Sequence, residues 1–246
     1  MGLFDFLKKQ KISEPVVRKV DLDLHSAENF SSLQELYERY SGVALEKQLA
    51  ISDSIENLDW NVDMSAGTAT FGKHLTFPIQ MLGSVSHQSN TWLWAWANSQ
   101  AQISSDSLTQ AFQLKAYGIK NNISELIEEK ISAINNEGHL IASIASGMFK
   151  NRFYYAGNYG AGTAFFTIDV TEEDLMEQPE SVLTVFPQLI MTFELNHRKA
   201  LTFYLIDKGF KVFESNESLT GVSAKLTVIA HFDEMNRMNN LESAHK

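Results

Sequence analysis

At 246 residues, 44% of them hydrophobic and 20% charged, the chain is long enough to bury a sizeable core and too apolar to stay disordered. Thirty acidic against 20 basic residues leave a formal net charge of −10, which opposes binding to nucleic-acid phosphates and favours a basic partner. The absence of cysteine excludes disulfides, thiolate metal sites and cysteine nucleophiles. No apolar run reaches a membrane span and the N-terminus lacks the apolar stretch of a secretory signal, so the expected location is the cytoplasm.

Residues 1–28 are expected to form an N-terminal extension. Its first 11 residues, MGLFDFLKKQK, set Leu3, Phe4, Phe6 and Leu7 before Lys8, Lys9 and Lys11, a pattern that suits a frayed start or a short interfacial helix on an anionic membrane. Asp21, Asp23 and His25 alternate in DLDLH, so a strand would present two carboxylates and an imidazole on one face, a donor set for a divalent metal that lacks a second ligand cluster. Ser32 and Glu35 have capping-box spacing and predict a helix running into the low fifties, with Phe30, Leu33, Leu36, Tyr37, Tyr40 and Ala44 on one face. From Leu58 the period changes to two: Trp60, Val62 and Met64 alternate with Asp59, Asn61 and Asp63, and Ala66-Gly67 makes a turn. Residues 68–71, 76–85 and 91–97 then read as an antiparallel meander.

The densest stretch of the chain is TWLWAWAN at residues 91–98. Alternation along a strand puts Trp92, Trp94 and Trp96 on one face. Each indole buries about 150–250 Å², and three left bare would exceed the apolar patch normal on a monomer. The stripe is therefore either core or the lining of a groove that a ligand or partner fills.

After Asn98 the helical period returns. Asp106 or Ser107 is expected to cap a helix carrying Leu108, Ala111, Phe112 and Leu114, and Ser124 another carrying Ile127, Ile131 and Ile134. A third starts near His139, with Ile141, Ile144, Ala145 and Met148 at helical spacing. Residues 152–169 predict a hairpin with Gly157, Gly160 and Gly162 between its arms. Such a turn can cradle a phosphate, although its spacing is that of neither a P-loop nor a dinucleotide fingerprint. Residues 172–180 read as an acidic linker, and residues 182–193 as a helix that Pro187 starts or kinks. Asn196 caps the next helix, whose inner face is Leu201, Tyr204 and Leu205 and which Gly209 stops. Residues 210–214 and 224–233 predict strands, the second turning at 234–237 into a short closing strand. The expected fold is α+β: an antiparallel β-meander packed with helices in residues 29–120, then a helical and β-hairpin half in residues 121–246, as two subdomains or one continuous domain.

Five blocks in order, LGSVS at 82–86, TWLWAWAN at 91–98, GHLIASIASG at 138–147, FYYAGNYGAG at 153–162 and HFDEMNR at 231–237, resemble an uncharacterised bacterial domain family of unknown function marked by a TWLWAWAN strand. The resemblance spans roughly residues 30–242. Asn236 stands where the family's last turn would carry glycine, and asparagine tolerates the same left-handed backbone. Asn158-Tyr159 stands where the family is more often acidic. The resemblance implies a fold unit and carries no activity with it.

The usual catalytic signatures are missing: there is no Gly-x-Ser-x-Gly elbow, no His-Glu-x-x-His helix and no Walker loop, which argues against an enzyme and implies no cofactor. His231 and Asp233 share a strand face and are the remaining metal candidates, while an aspartate at a turn more often bonds its own backbone. A candidate aromatic-lined pocket comprises Trp92, Trp94, Trp96, Asn98, His139, Tyr154 and Tyr155, with Asp59, Asn61 and Asp63 as further polar contacts. Three functions compete. One is a non-catalytic cytosolic interaction protein, such as an immunity protein that neutralises a basic toxin. The second is a small-molecule binder or hydrolase using the aromatic pocket, and the third is a membrane-surface adaptor using residues 1–11.

Overall fold

The computed structural model describes residues 29–55, 57–169, 178–215 and 217–245. The interfacial helix expected in residues 1–11, the Asp21, Asp23 and His25 trio, and most of the acidic linker lie outside them. Among the described residues no helix is long and apolar enough to cross a membrane.

One long helix is shared by everything else. Helix α1 (Leu33–Ile55) starts where the capping box places it: the Glu35 N–H donates to Ser32 Oγ at 3.1 Å, and the Glu35 carboxylate reaches back to the N–H of Ser31 at 2.9 Å. Its predicted face is buried from Leu33 and Leu36 through Tyr37 and Tyr40 to Ala44, and the burial continues to Ile51 and Ile55.

The meander follows as β1 (Trp60–Asp63), β2 (Thr68–Phe71), β3 (Leu75–Ser86) and β4 (Thr91–Trp94). Strand β3 is the hub. Its 12 residues pair with β2 at one end and β4 at the other, and through residues 79–86 with β7 (Gly162–Ile168), the second arm of the hairpin begun by β6 (Tyr154–Asn158). A register shift between Met81 and Gly83 lets this strand serve three partners. With β5 (Lys130–Ser132) beside β4, the result is a seven-stranded antiparallel sheet. Residue 120, the expected meeting point of two halves, lies in the helix at residues 109–121, and the pairs β4–β5 and β3–β7 join strands from before and after it in this one sheet.

Helices α2 (Thr109–Asn121), α3 (Ser124–Ile127) and α4 (Glu137–Met148) cover the tryptophan face together with α1. Beyond residue 178 come α5 (Val182–Thr192), which Pro187 enters without ending, and α6 (His197–Asp207), capped by Asn196 accepting from the Lys199 N–H at 3.0 Å. A four-stranded meander closes the described chain: β8 (Lys211–Glu214), β9 (Ser218–Val222), β10 (Leu226–Phe232) and β11 (Met238–His245). The overall class is α+β, with antiparallel pairing throughout.

Three local expectations are corrected. The strand at residues 91–98 ends at Trp94, and Ala95–Ala97 is a 3₁₀ turn closed by Asn98 donating its N–H to Ala95 O at 3.2 Å. The helix begun at Ser124 stops at Ile127, because the chain straightens at Glu128 to pair with β4: Ile131 lies opposite Trp92, and Ile134 is exposed. Strand β9 was not expected, and β11 runs for eight residues rather than closing briefly.

Candidate functional site

The tryptophan segment organises its surroundings in two ways. Trp92 and Trp94 alternate onto one face and have no exposed surface. Their rings start a continuous aromatic run: Trp96 stacks on Trp94 at 6.3 Å, Trp94 meets Trp92 edge-on at 5.3 Å, and Trp92 contacts Phe165 at 5.5 Å. Phe165 meets the His139 ring at 5.1 Å, and His139 contacts Tyr154 at 6.0 Å. Centroid spacings of this size are those of favourable edge-to-face and offset pairs.

Of the seven pocket residues read from the sequence, five therefore touch in series: Trp96, Trp94, Trp92, His139 and Tyr154, joined through Phe165. Tyr155 points to the other face of its strand, against Trp60 at 5.7 Å and Phe71 at 4.9 Å. Asn98 serves a turn, its Oδ1 accepting from the N–H groups of Gln100 and Ala101, both at 3.2 Å. Asp63 does the same for Ser65 and Ala66, while Asp59 and Asn61 are exposed.

The polar end of the run is a part-buried hydrogen bond. His139 Nδ1 and the Tyr154 hydroxyl are 3.2 Å apart. Burial pushes the Tyr154 phenol up and the His139 imidazole down, so both stay neutral near pH 7 and the contact is a neutral hydrogen bond. The glycine-rich turn satisfies its own backbone: Gly160 N–H donates to Asn158 Oδ1 at 2.8 Å and Tyr159 N–H to Gly162 O at 3.0 Å. At the metal candidates, the Asp233 carboxylate accepts from the N–H groups of Met235 and Arg237, both at 2.9 Å, and from Arg237 Nε at 2.8 Å. Among the described residues no group of three or more His, Asp or Glu is placed to hold a metal ion.

The second consequence of the tryptophan segment is an acidic cleft. Trp94 donates its indole N–H to Glu125 O at 3.0 Å and its backbone N–H to Glu129 O at 3.1 Å, which fixes residues 125–130 against β4. Ile123 and Leu126 anchor the same segment from below, both buried. Between it, the first turn of α1 and the start of α4 lies a cleft of about 540 Å³, lined by Glu125, Glu128, Glu137, Lys130 and Gln34 together with the apolar Leu33, Ile131 and Leu140. Glu137 also accepts from the Asn135 N–H at 2.8 Å, which holds its carboxylate at the rim. Three carboxylates against one ammonium give this lining a formal charge of −2 (+1 − 3). The sequence reading missed the cleft because its walls come from segments about 90 residues apart.

Charged side chains inside the protein were missed as well. Glu46 of α1 is buried and accepts from Lys208 Nζ at 2.7 Å, Ser181 Oγ at 2.6 Å and Tyr204 OH at 2.8 Å. Its neighbour Lys47, also buried, donates to Asn151 O at 2.7 Å. The flanking Val43, Leu45 and Ile51 were the available signal that this part of α1 is covered on more than one side.

No curated protein and no solved structure matches the chain. A family match covers residues 34–171, which takes in α1, the whole seven-stranded sheet and the cleft-forming elements, and four of the five sequence blocks noted above. That span is more than half of the 246 residues, and the chain belongs to the family it matches, the family of unknown function DUF6882.

Proposed function

We propose that the protein is a non-catalytic interaction protein that receives a basic partner at the acidic cleft. The observation that carries this reading is that Glu125, Glu128 and Glu137 line one cleft together with the apolar Leu33, Ile131 and Leu140. A lysine or arginine side chain suits such a place, laying its methylene stem on Leu33, Ile131 and Leu140 while its charged head meets the carboxylates. The net charge of −10 acts in the same direction, steering a basic surface toward the protein at low ionic strength. An immunity protein that neutralises a basic toxin in the cytoplasm is the specific form of this reading. The aromatic run favours it over a small-molecule pocket, since Trp92 and Trp94 present no surface for a ligand to meet.

The test compares the wild type with a triple variant, Glu125→Lys, Glu128→Lys and Glu137→Lys, as bait for proteins from the source cells at about 50 mM and about 300 mM salt. The expected outcome is a basic protein retained by the wild type at low salt, weakened at high salt and lost by the variant. Retention of the same proteins by both baits, or of none that is basic, overturns the reading. For the immunity form, co-expression of the wild type, and not of the variant, relieves the growth arrest caused by the retained protein.

A further inference from the structure

The acidic cleft is bordered by a sheet edge. Strand β5 ends the seven-stranded sheet, with β4 as its one partner among the described residues. Lys130, Ile131 and Ser132 line the cleft in succession. Successive side chains of a strand point to opposite faces, so a cavity that meets three in a row meets the strand along its edge. Ile131 is on the inner face, opposite Trp92 and packed on the same core as Leu33 and Leu140, which also line the cleft. Lys130 and Ser132 are exposed on the outer face.

Backbone accounting shows that this edge is open. Trp94 N–H donates to Glu129 O at 3.1 Å and Ala133 N–H to Asn90 O at 2.8 Å, so residues 129 and 133 turn their main-chain groups toward β4. The register between them is unbroken, with Ile131 opposite Trp92. Alternation gives Ile131 the same direction as 129 and 133, and turns the N–H and C=O groups of Lys130 and Ser132 outward, toward the cleft. An extended segment adds to such an edge as a further strand, its main-chain bonds supplying affinity and its alternate side chains specificity.

We propose that the basic partner enters the cleft as an extended segment that adds antiparallel to β5 as an eighth strand, with one lysine or arginine opposite Ile131. The proposal rests on the reading of the cleft as a receptor for a basic partner, and adds the form in which that partner binds. The residues on either side of the basic one exchange N–H···O=C bonds with Lys130 and Ser132. The basic residue falls at the non-hydrogen-bonded position between them, where paired side chains are closest and share a face. Its methylene stem runs over Ile131, Leu33 and Leu140 and its charge meets Glu125, Glu128 and Glu137, while its neighbours face solvent beside Lys130. The three carboxylates oppose an acidic residue in that position. A length of three residues and the exposed Lys130 keep the edge from accepting an arbitrary strand, so charge selects what enters.

The test titrates the isotope-labelled full chain with the peptide acetyl-Ser-Thr-Lys-Thr-Ser-amide, up to about 10 mM, by nuclear magnetic resonance. The same peptide N-methylated on both threonines keeps the charge and loses the two donors. Ser132→Pro removes an N–H that points away from β4, which an edge strand tolerates. The unmodified peptide is expected to bind and to move the Lys130 and Ser132 amide resonances. Its Kd is expected to rise at least about tenfold on N-methylation, on exchange of its lysine for glutamate, in Ser132→Pro, and in the triple variant Glu125→Lys, Glu128→Lys and Glu137→Lys. Binding that is weakened by the triple variant and indifferent to N-methylation and to Ser132→Pro overturns strand addition and leaves the cleft as a receptor for basic side chains. Binding indifferent to the triple variant overturns the receptor reading and this proposal with it. No binding up to the highest concentration overturns strand addition, and the receptor reading then stands or falls on the retention of basic proteins.

Discussion

Trp92 and Trp94 are alike in burial and unlike in bonding. The Trp92 indole N–H finds no hydrogen-bond partner among the described residues, whereas that of Trp94 holds Glu125 O. Replacing each by phenylalanine separates the two roles. Trp92→Phe loses ring contacts but removes an unsatisfied donor, while Trp94→Phe also orphans a carbonyl and frees the acidic segment. The second is expected to cost about 1–3 kcal/mol more in urea denaturation and to weaken partner binding at the cleft; equal costs would mean that the indole bond does not shape the site. Gly83 is constrained by the same packing, because a Cβ there would lie 2.4 Å from the Trp92 ring and 2.5 Å from Leu93 O. Gly83→Ala is expected to destabilise by about 1–3 kcal/mol through overpacking, read from the same urea curves.

Two histidines set the response to acid. Burial lowers the His139 imidazole, and it lowers His197, whose Nδ1 accepts from the Met238 N–H at 3.0 Å and must stay unprotonated to do so. Each is harder to protonate in the folded chain than in the unfolded one. Between the lowered value and about pH 6.5 the unfolded state therefore binds more protons, and stability falls as pH falls through that window while being fully present above it. The urea midpoint is expected to drop between about pH 7.5 and pH 5.5, and to drop less in His139→Phe combined with His197→Asn. An unchanged slope in that double variant would place the acid sensitivity elsewhere.

At the scale of elements, α1 is a spine with chemistry on two sides. Toward α5 and α6 it presents Gln34 to Glu194 O at 3.0 Å, Glu38 to the Asn196 N–H at 3.0 Å, Arg39 to Asp207 at 2.6 and 2.9 Å, and Glu46 to Lys208. Toward α4 and β6 it presents Lys47 and Gln48, the latter accepting from the Tyr154 N–H at 3.1 Å. Gly42 allows α6 to approach, since a Cβ there would lie 2.6 Å from the Tyr204 ring. Removing the carboxylate of Glu46 takes away the counter-charge that lies 2.7 Å from the buried Lys208 ammonium. Glu46→Ala is expected to cost about 3–5 kcal/mol, and a Glu46→Ala, Lys208→Met double variant to regain much of that. Additive costs in the double-variant cycle would show that the pair is not coupled.

The same elements show what can be read from sequence and what cannot. Periodicity sufficed for α4, and periodicity with a cap for α1 and α6, because those signals are local and tertiary packing reinforces them. Periodicity failed where a partner decided the outcome: Ile131 continues a helical spacing from Ile127, yet pairing with Trp92 makes it a strand. Trp96 continues the strand alternation, yet the turn at Ala95 places it against Trp94 and under Lys115 Nζ, 3.5 Å from its ring. Strand β9 was hidden by Gly221, a poor strand former that is needed because Leu205 of α6 lies 3.0 Å from where a Cβ would be. The aromatic run was partly legible, since five of its six members lie in three of the sequence blocks. The cleft and the buried charges depend on long-range assembly, and long charged side chains on a helix read as solvated until both neighbours of that helix are known.

Considered as a whole molecule, the family match ends at residue 171, just past β7, yet the fold does not divide cleanly there. Helix α1 lies within the match and supplies Val43 and Leu45 to the second core, whose buried residues, from Val182 to Phe232, all lie beyond it. Ending the chain at residue 171 would uncover the face of α1 around Gly42, Val43 and Leu45 and take Lys208, Tyr204 and Ser181 away from Glu46 and Asp207 away from Arg39. The full chain is therefore expected to unfold in one cooperative transition, with tryptophan fluorescence, which reports residues 60–96, and far-ultraviolet circular dichroism, which reports both sheets, giving the same urea midpoint. The chain ending at 171 is expected to show no cooperative transition. Two separated midpoints in the full chain, or a shortened chain that unfolds cooperatively, would mean that α1 belongs to the first sheet alone and that the contacts of Glu46 and Arg39 join units able to stand apart.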